Sequence, residues 1–271
     1  MLQVSELYIY PVKSLGGIAK QTVEIVHTGF KYDRRWMLVD EENRFLTQRV
    51  HPQMSLLQPE ETADGIAVFH KQQPSQRISI PLTDSGNRIS VVVWDDACTA
   101  IEATEEINQW FSNMLGFNCK LVYMPDDSLR LVDKRYAEND ETTSFSDGYP
   151  VLAIGQSSLD LLNEKMPAPL PINRFRPNIV FTGGHAHIED EMARFTINEL
   201  EFLGVKPCAR CVMTTINQQT AAAGKEPLRT LARYRMKNNK IYFGQNVLPQ
   251  QHGSISVGDH ITIITQQQPF I

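Results

Sequence analysis

The chain has 271 residues, of which 42% are hydrophobic and 21% charged, with 15 glycines and 15 prolines. These proportions are those of a folded globular protein and exclude collagen-like, low-complexity and wholly disordered chains. The formal net charge of −5 argues against a general binder of nucleic acid or of anionic membranes. Neither a run of 18 apolar residues nor a secretory leader is visible, so we expect a cytoplasmic protein without a membrane span.

The first hundred residues contain short apolar or alternating runs that are typical of β-strands. Turn signals separate the runs, among them Gly16-Gly17, Thr28-Gly29 and the stretch Asp84-Ser85-Gly86-Asn87. Many short strands at close spacing favour a sandwich or a barrel. The predicted strands cover residues 2–10, 22–26, 36–40, 66–70, 78–82 and 89–94.

One helix is predicted directly after these strands. Thr104 is a suitable N-cap, and Gly116 ends the helix. A second, short helix is predicted to start at a cap formed by Ser157 or Ser158 and to stop before Pro167. The inward face of the first helix carries apolar residues at helical spacing, namely Ile107, Trp110, Phe111, Met114 and Leu115.

The polar stretch 126–147 is weakly periodic and is predicted to be a surface loop, with a domain boundary near Pro125. We therefore divide the chain into an N-terminal β-rich domain, residues 1–124, and a β-barrel domain, residues 125–265. Gly258-Asp259 predicts a hairpin turn before the last strand. Within the second domain we predict strands at 149–154, 178–182, 194–197, 199–203, 212–216, 240–243 and 260–264, and a helix at 227–235.

The pair Cys208 and Cys211 forms a C-x-x-C motif, which has three common uses. A zinc site needs two further ligands at suitable spacing, and none is evident. A thioredoxin-like pair opens a helix, whereas the β-branched residues 212–216 are typical of a strand. The third use is a single reactive thiolate beside positive charge, here from Lys206 and Arg210, which suits a soft metal. Two small residues packed in a β core remain the simplest alternative.

Cationic side chains recur at the predicted ends of strands. The segment from Tyr10 to Gly17 joins Lys13 and Ser14 to two glycines, a combination that can cradle phosphate, although it is not a Walker motif. Neither G-x-S-x-G nor G-x-G-x-x-G is present. A solvated turn and surface salt bridges are the alternatives for these sites. The sequence favours one local anion pocket built from Lys13, Arg34, Arg174, Arg176 and Arg210.

These motifs, in this order, resemble MOSC-domain proteins, the family that includes the C-terminal part of molybdenum cofactor sulfurase. The similarity runs from about residue 2 to about residue 264 and is strongest to amidoxime-reducing components and bacterial YcbX-type proteins. It implies a β-rich α+β fold: an N-terminal MOSC-associated β region plus a MOSC β-barrel with a few covering helices. A cofactor site is expected at the seam between them. The motifs are YPVKSLGG, Asp33-Arg34-Arg35-Trp36, Phe145-Ser146-Asp147, Phe175-Arg176-Pro177-Asn178 and Cys208-Ala209-Arg210-Cys211.

The resemblance also implies residue roles for a molybdenum cofactor, or molybdopterin. Cys211 would be the catalytic residue and the molybdenum ligand. This chain has Gly148, Tyr149 and Asn246 where the mitochondrial relatives carry other side chains, so contacts through the backbone are expected there. The implied cofactor-binding residues are Lys13, Ser14, Arg34, Asp147, Gly148, Tyr149, Arg176, Asn178, Ala209 and Asn246.

The implied activity is the reduction of small N-hydroxylated compounds. The chain shows no ferredoxin cysteine motif, so we expect no iron–sulfur cluster in it and a separate electron donor: a flavoprotein reductase, a ferredoxin or a haem protein. We expect no pyridoxal-phosphate desulfurase half, and neither nucleic acid nor membrane is an expected partner. The alternative is a carrier of sulfur, as a persulfide, or of the molybdenum cofactor.

Overall fold

The computed structural model describes residues 1–82 and 85–271, so the predicted turn residue Asp84 lies outside the described residues. The elements within those ranges are short strands with a few helices. The strands are β1 Leu2–Ile9, β2 Ile18–Lys20, β3 Thr22–Val26, β4 Gly29–Phe30, β5 Trp36–Val39, β6 Leu57–Thr62, β7 Gly65–His70, β8 Gln73–Pro81, β9 Arg88–Val93, β10 Asp96–Glu102, β11 Lys120–Tyr123, β12 Val151–Gly155, β13 Ile179–Thr182, β14 Met192–Ile197, β15 Leu200–Arg210, β16 Met236–Lys237, β17 Lys240–Pro249, β18 Gly253–Ser256 and β19 His260–Gln266. The α-helices are α1 Glu105–Leu115, α2 Gln156–Glu164 and α3 Leu228–Leu231, and 3₁₀ helices span Pro52–Leu56, Ile172–Arg174, Ile188–Glu191 and Val212–Thr215.

Seven strands form a closed barrel in the order β1, β13, β12, β17, β15, β14 and β19, with β19 pairing back to β1. All neighbouring strands are antiparallel except β12 and β13. Large aromatic side chains fill the interior, and the rings of Phe195 and Phe202 stack with centroids 5.5 Å apart. The predicted β-rich fold with a barrel and few helices is confirmed.

The N-terminal segments pack beside the barrel as smaller sheets. One has the order β5-β11-β10-β9, one has the order β6-β7-β8, and β3 lies between β4 and β18. The predicted helix α1 is confirmed, with the Thr104 hydroxyl accepting from the Ile107 amide and Gly116 left-handed at the end. Because β1 belongs to the barrel and β18 pairs with β3, the chain crosses between the two parts at both ends. The boundary at residues 124 and 125 stays a prediction.

In the C-terminal half, the prediction of a strand at 212–216 is wrong. Val212–Thr215 is a 3₁₀ helix, and β15 ends before it, at Arg210. The hydroxyls of Thr214 and Thr215 donate to carbonyls three residues earlier, at 3.0 and 2.7 Å. Such local bonds compete with strand pairing, so the chain turns directly after the second cysteine.

Three smaller predictions are also corrected. Helix α2 starts at Gln156 with Gly155 as N-cap, because the Ser158 hydroxyl bonds to buried Glu189 instead of capping. The predicted helix at 227–235 is α-helical only over Leu228–Leu231. The segments around Gly258 do not form a hairpin, because β18 pairs with β3 while β19 joins the barrel.

Gly204 provides a test of the barrel's packing. A Cβ at this position would lie 1.9 Å from the Met192 carbonyl oxygen, so the backbone would have to shift. We expect Gly204→Ala to lower the free energy of unfolding by about 1–3 kcal/mol, measured by urea denaturation. Gly224→Ala is the control, because its nearest atom, the Thr215 oxygen, is 3.6 Å away. A similar loss in both variants would contradict the expected clash.

Candidate functional site

A pocket of about 300 Å³ lies at the seam between the barrel and the N-terminal segments. Its lining comes from the loop after β1, the residues before β5, the polar stretch before β12, the turn before β13, and strands β15 and β17. All the residues that the sequence analysis assigned to a site meet there. They are Lys13, Ser14, Arg34, Asp147, Gly148, Tyr149, Arg176, Asn178, Ala209, Cys211 and Asn246.

The loop after β1 brings Lys13 and Ser14 into the pocket. Its backbone is fixed because Gln48 Nε2 donates to the Ser14 carbonyl and Arg176 Nη1 donates to the Leu15 carbonyl, each at 2.5 Å. Ser14 is left-handed, with φ 67°, and its buried hydroxyl has no hydrogen-bond partner. An unpaired buried hydroxyl is costly, so this group is available to a ligand in the pocket.

Lys13 and Asp147 form an ion pair in the pocket. Lys13 Nζ lies 2.5 Å from Asp147 Oδ1 and donates to the Phe145 carbonyl at 2.7 Å. Burial lowers the pKa of Lys13 to about 8, although Asp147 opposes that change. Burial alone would raise the pKa of Asp147, but the charges of Lys13 and Arg49 hold that pKa below its usual range. The pocket therefore keeps one ionised carboxylate among its cations.

A buried arginine positions the polar loop that carries Asp147. Arg130 pairs with Asp96 at 2.7 Å and donates to the carbonyls of Ser144 and Ser146. Residues 126–147 form neither helix nor strand, as predicted, but residues 143–146 are buried. Gly148 follows at φ 155° with no atom within 4 Å of an added Cβ, which leaves open space beside the pocket.

Arg34 and Arg176 meet on the ring of Tyr10, with guanidinium carbons 4.4 and 4.2 Å from its centroid. Arg34 Nη1 bonds to buried Asp33 and, at 3.1 Å, to the Asn178 side-chain oxygen. Burial, and then the neighbouring charge of Arg34, lowers the pKa of Arg176 to about 10. Two guanidinium groups on one ring favour the binding of an anion beside them.

Three residues of the pocket lining have a strained backbone. Ser14, Arg34 and Arg176 have φ values of 67°, 49° and 56°, in the left-handed region that favours glycine. Each of the three was assigned to the site from the sequence. Strained residues persist only where the surrounding structure holds them, and they are frequent at functional sites.

The two cysteines leave the barrel on β15 and contact different arginines. Backbone irregularities between Gly204 and Lys206, and between Pro207 and Ala209, redirect this strand beside the pocket. Cys208 Sγ accepts from Arg210 Nη1 at 3.0 Å, whereas Cys211 Sγ accepts from Arg49 Nε at 3.1 Å. All four cysteines are free.

The zinc alternative gains no support from the geometry. Across residues 1–82 and 85–271, no three His, Cys, Asp or Glu side chains are grouped to hold a metal ion. A metal on Cys211 would therefore take its other ligands from a bound group. The redox-pair alternative is also disfavoured, because Cys208 lies within a strand and only a single 3₁₀ turn follows Cys211.

The pocket is strongly cationic. Among the described residues, its lining contains seven Lys or Arg side chains and a single carboxylate, Asp147. Arg174 and Arg210 are anchored through the carbonyls of Thr214 and Phe175, at 2.9 and 2.6 Å. The predicted convergence of Lys13, Arg34, Arg174, Arg176 and Arg210 is therefore observed, and the donor set suits an anionic group with one soft ligand.

The sequence analysis did not assign Arg49 to the site. Besides its contact with Cys211, Arg49 Nη2 lies 2.7 Å from Asp147 Oδ2. Burial would lower the pKa of Arg49, but Asp147 and Cys211 outweigh it and raise that pKa. No local pattern marks this arginine, because it lies in a loop and reaches the pocket only through the tertiary fold. Lys206, noted earlier only as a neighbour of the cysteines, also lines the pocket.

The ion pair of Lys13 with Asp147 predicts a pH-dependent stability. Asp147→Asn leaves the Lys13 ammonium buried without its partner, so we expect a loss of about 1–2 kcal/mol at pH 7 after allowance for the half-exposed carboxylate. Because the folded pKa of Asp147 is depressed, this contribution is present above about pH 4 and declines as the pH falls further. Urea unfolding at pH 7 and at pH 3.5 measures both effects.

Asp126→Asn is the matched control for that measurement. Asp126 also pairs with an arginine, Arg35, at 2.7 Å, but its side chain is 77% exposed. We expect a loss below about 1 kcal/mol, as for surface ion pairs in general. Equal losses in the free energy of unfolding would show that the Lys13–Asp147 ion pair stabilises the fold no more than a surface ion pair does.

The chain is similar to two groups of curated proteins. Across 97% of this chain the sequence is 29% identical to mitochondrial amidoxime-reducing component 1 of Mus musculus, and the match covers 82% of that protein. It is 27% identical to molybdenum cofactor sulfurase of Danio rerio over 95% of this chain, but spans only 34% of that protein. The YUAD protein of Bacillus subtilis aligns over 96% of this chain at a TM-score of 0.44 and 10% identity, too low to support an inference.

Within the described residues, no helix combines the length and the apolar character needed to cross a membrane. Residues 1–118 match the model of the MOSC N-terminal beta barrel domain, and residues 140–262 match the model of the MOSC domain. The chain therefore belongs to the family of MOSC-domain proteins, with a MOSC N-terminal domain followed by a MOSC domain.

Proposed function

We propose that this protein binds a molybdenum cofactor of the molybdopterin type in the cationic pocket and reduces N-hydroxylated compounds there. The observation that carries the proposal is the meeting of seven cationic side chains with the Cys211 thiol in one pocket. The relatives' names, amidoxime-reducing component and molybdenum cofactor sulfurase, support the same general function.

The anionic end of the cofactor would lie against Arg34, Arg176 and Ser14. Both guanidinium groups lie on the Tyr10 ring, and the Ser14 hydroxyl is free to donate. Hydrogen bonds to charged groups contribute roughly 1.5–3 kcal/mol each, so a few such contacts suffice for tight retention of a phosphate. Lys13 is less available, because Asp147 and the Phe145 carbonyl already accept from its ammonium.

The sulfur end of the site would be Cys211. A thiolate is a soft ligand that suits molybdenum bound to further sulfur atoms. Arg49 holds the Cys211 sulfur and the Asp147 carboxylate together, at 3.1 and 2.7 Å, so the ligand has a fixed direction. Cys208 is tied to Arg210 instead, and it packs partly against the apolar cluster beneath the pocket.

The proposed reaction converts an N–OH group to N–H and water by uptake of two electrons and two protons. The bound cofactor supplies the two-electron chemistry, and the protein supplies orientation and electrostatics. The pocket's own residues retain the anionic cofactor, fix the Cys211 sulfur and keep the positive charge close to the reacting nitrogen and oxygen.

A carrier function is the second candidate. It is favoured by the presence of two thiols with arginine donors in one pocket, since either could hold a persulfide. The match to about a third of molybdenum cofactor sulfurase agrees with a role in handling sulfur or the cofactor. Molybdenum and persulfide analysis of the purified protein separates the two candidates.

Substitution of each cysteine tests the proposed function. In protein purified from a host that makes the cofactor, we expect Cys211→Ala to lose nearly all molybdenum and Cys208→Ala to keep most of it. The difference follows because one thiolate, aimed by Arg49 at the pocket, completes the metal ligands. Elemental analysis and pterin fluorescence measure it. Persulfide without molybdenum would favour the carrier, and equal loss in both variants would refute the assignment of Cys211.

A second test of the proposed function asks which electron donor supports turnover. The sequence contains no flavin, nicotinamide, haem or iron–sulfur motif, so hydride from NADPH has no acceptor of its own in this chain. We expect the cofactor-loaded protein to reduce benzamidoxime with an artificial one-electron donor but not with NADPH alone. Adding a flavoprotein reductase, with or without a ferredoxin or small haem protein, should permit NADPH-dependent turnover. High salt should lower the rate of that turnover, because it weakens the docking of the partner. Turnover with NADPH by the isolated protein would contradict this prediction.

A further inference from the structure

Trp94 occupies an unfavourable position at the tip of the β9–β10 hairpin. Val93 pairs with Asp96, so Trp94 and Asp95 form a two-residue turn. Trp94 has φ 57°, a left-handed conformation that such turns usually assign to Asn, Asp or Gly. Its side chain is nevertheless 43% exposed to solvent. Neither the turn nor the hydrophobic core explains why a tryptophan stands here.

The contacts of Trp94 connect it to the pocket. Its indole N–H donates to Asp147 Oδ1 at 3.3 Å, and the Arg49 guanidinium carbon lies 4.7 Å from its ring centroid. Phe45 packs against it with centroids 4.9 Å apart. The indole is therefore held in place although much of it faces solvent. Arg49 links it to Cys211, because Arg49 Nε also lies 3.1 Å from the Cys211 sulfur.

We propose that Trp94 is a specificity-determining residue, whose exposed indole surface stacks against the aromatic ring of an N-hydroxylated substrate beside Arg49 and Asp147 of the pocket lining. An aryl amidoxime is the simplest member of this class. Stacked there, its ring would lie on the indole and its N–OH group would point past Arg49 toward Cys211. This inference rests on the proposed function for the reaction, but its binding step is independent of catalysis.

Aromatic stacking explains why this residue would discriminate between substrates. An indole held rigidly loses little entropy when a flat ligand packs on it, and stacking depends on the π face of the ligand. Removing one such platform typically weakens binding about tenfold or more. A small aliphatic amidoxime carries the same N–OH chemistry without a ring, so it gains nothing from Trp94.

A binding experiment tests the platform without any turnover. The chain has three tryptophans, so a ¹⁵N spectrum should contain three indole N–H signals, and Trp94→Phe identifies the one from Trp94. We expect benzamidoxime to shift this signal and acetamidoxime at the same concentration to leave it in place. Trp110 on α1 is the internal control, assigned by Trp110→Phe, and its signal should not move.

Steady-state kinetics of the cofactor-loaded protein test whether Trp94 discriminates between aromatic and aliphatic substrates. We expect Trp94→Ala to raise the KM for benzamidoxime about tenfold with little change in kcat, and to leave both constants for acetamidoxime within twofold. Trp94→Phe, which keeps a ring, should restore most of the benzamidoxime KM. Trp110→Phe should behave as wild type with both substrates.

The outcomes distinguish this inference from the proposed function. A shifted Trp94 signal in a protein without reductase activity would support the platform and refute the proposed reaction. Reductase activity with an unmoved Trp94 signal would refute the platform alone. Equal losses for the two amidoximes in Trp94→Ala, without rescue by Trp94→Phe, would show a structural role and overturn the inference.

Discussion

Three arginines of the pocket are held by backbone carbonyl oxygens, and the positive potential of the site depends on this arrangement. Arg174 donates to the Thr214 carbonyl, Arg176 to that of Leu15, and Arg210 to that of Phe175. A carbonyl satisfies a cationic donor without cancelling its charge, whereas a carboxylate would neutralise it. The pocket can therefore present a strong positive potential to an anion although the chain as a whole carries a net charge of −5.

This requirement also explains why the site lies at a seam. Carbonyls inside sheets are occupied by strand pairing, so free ones come from the irregular segments beside the barrel. In the loop after β1, Ser14 has a left-handed backbone conformation. Arg34 and Arg176 have the same conformation in their segments. Such strain is tolerated because rigid strands fix the ends of each segment. The barrel and the smaller sheets beside it thus contribute to the site by holding three short, strained segments at fixed positions.

The sequence predicted those parts of the protein that depend on local patterns. Helix α1 was predicted between Thr104 and Gly116 because its cap and apolar face are local. The order of several separate motifs indicated the MOSC family and the residues that meet in the pocket. The turn after Cys211 was missed because two threonine hydroxyls outweigh the strand preference of their neighbours. Arg49 was missed for another reason: its role exists only after folding brings it to Cys211 and Asp147.

The structure also separates two cysteines that spacing alone leaves equivalent. Each thiol accepts from one arginine, but Arg210 extends on to the Phe175 carbonyl and Cys208 packs partly against the apolar cluster beneath. Arg49 instead connects Cys211 to Asp147 and to the indole of Trp94. Cys208 is therefore coupled to the interior and Cys211 to the pocket mouth. A ligand bound through Cys211 would share its arginine with the surface proposed to bind substrate.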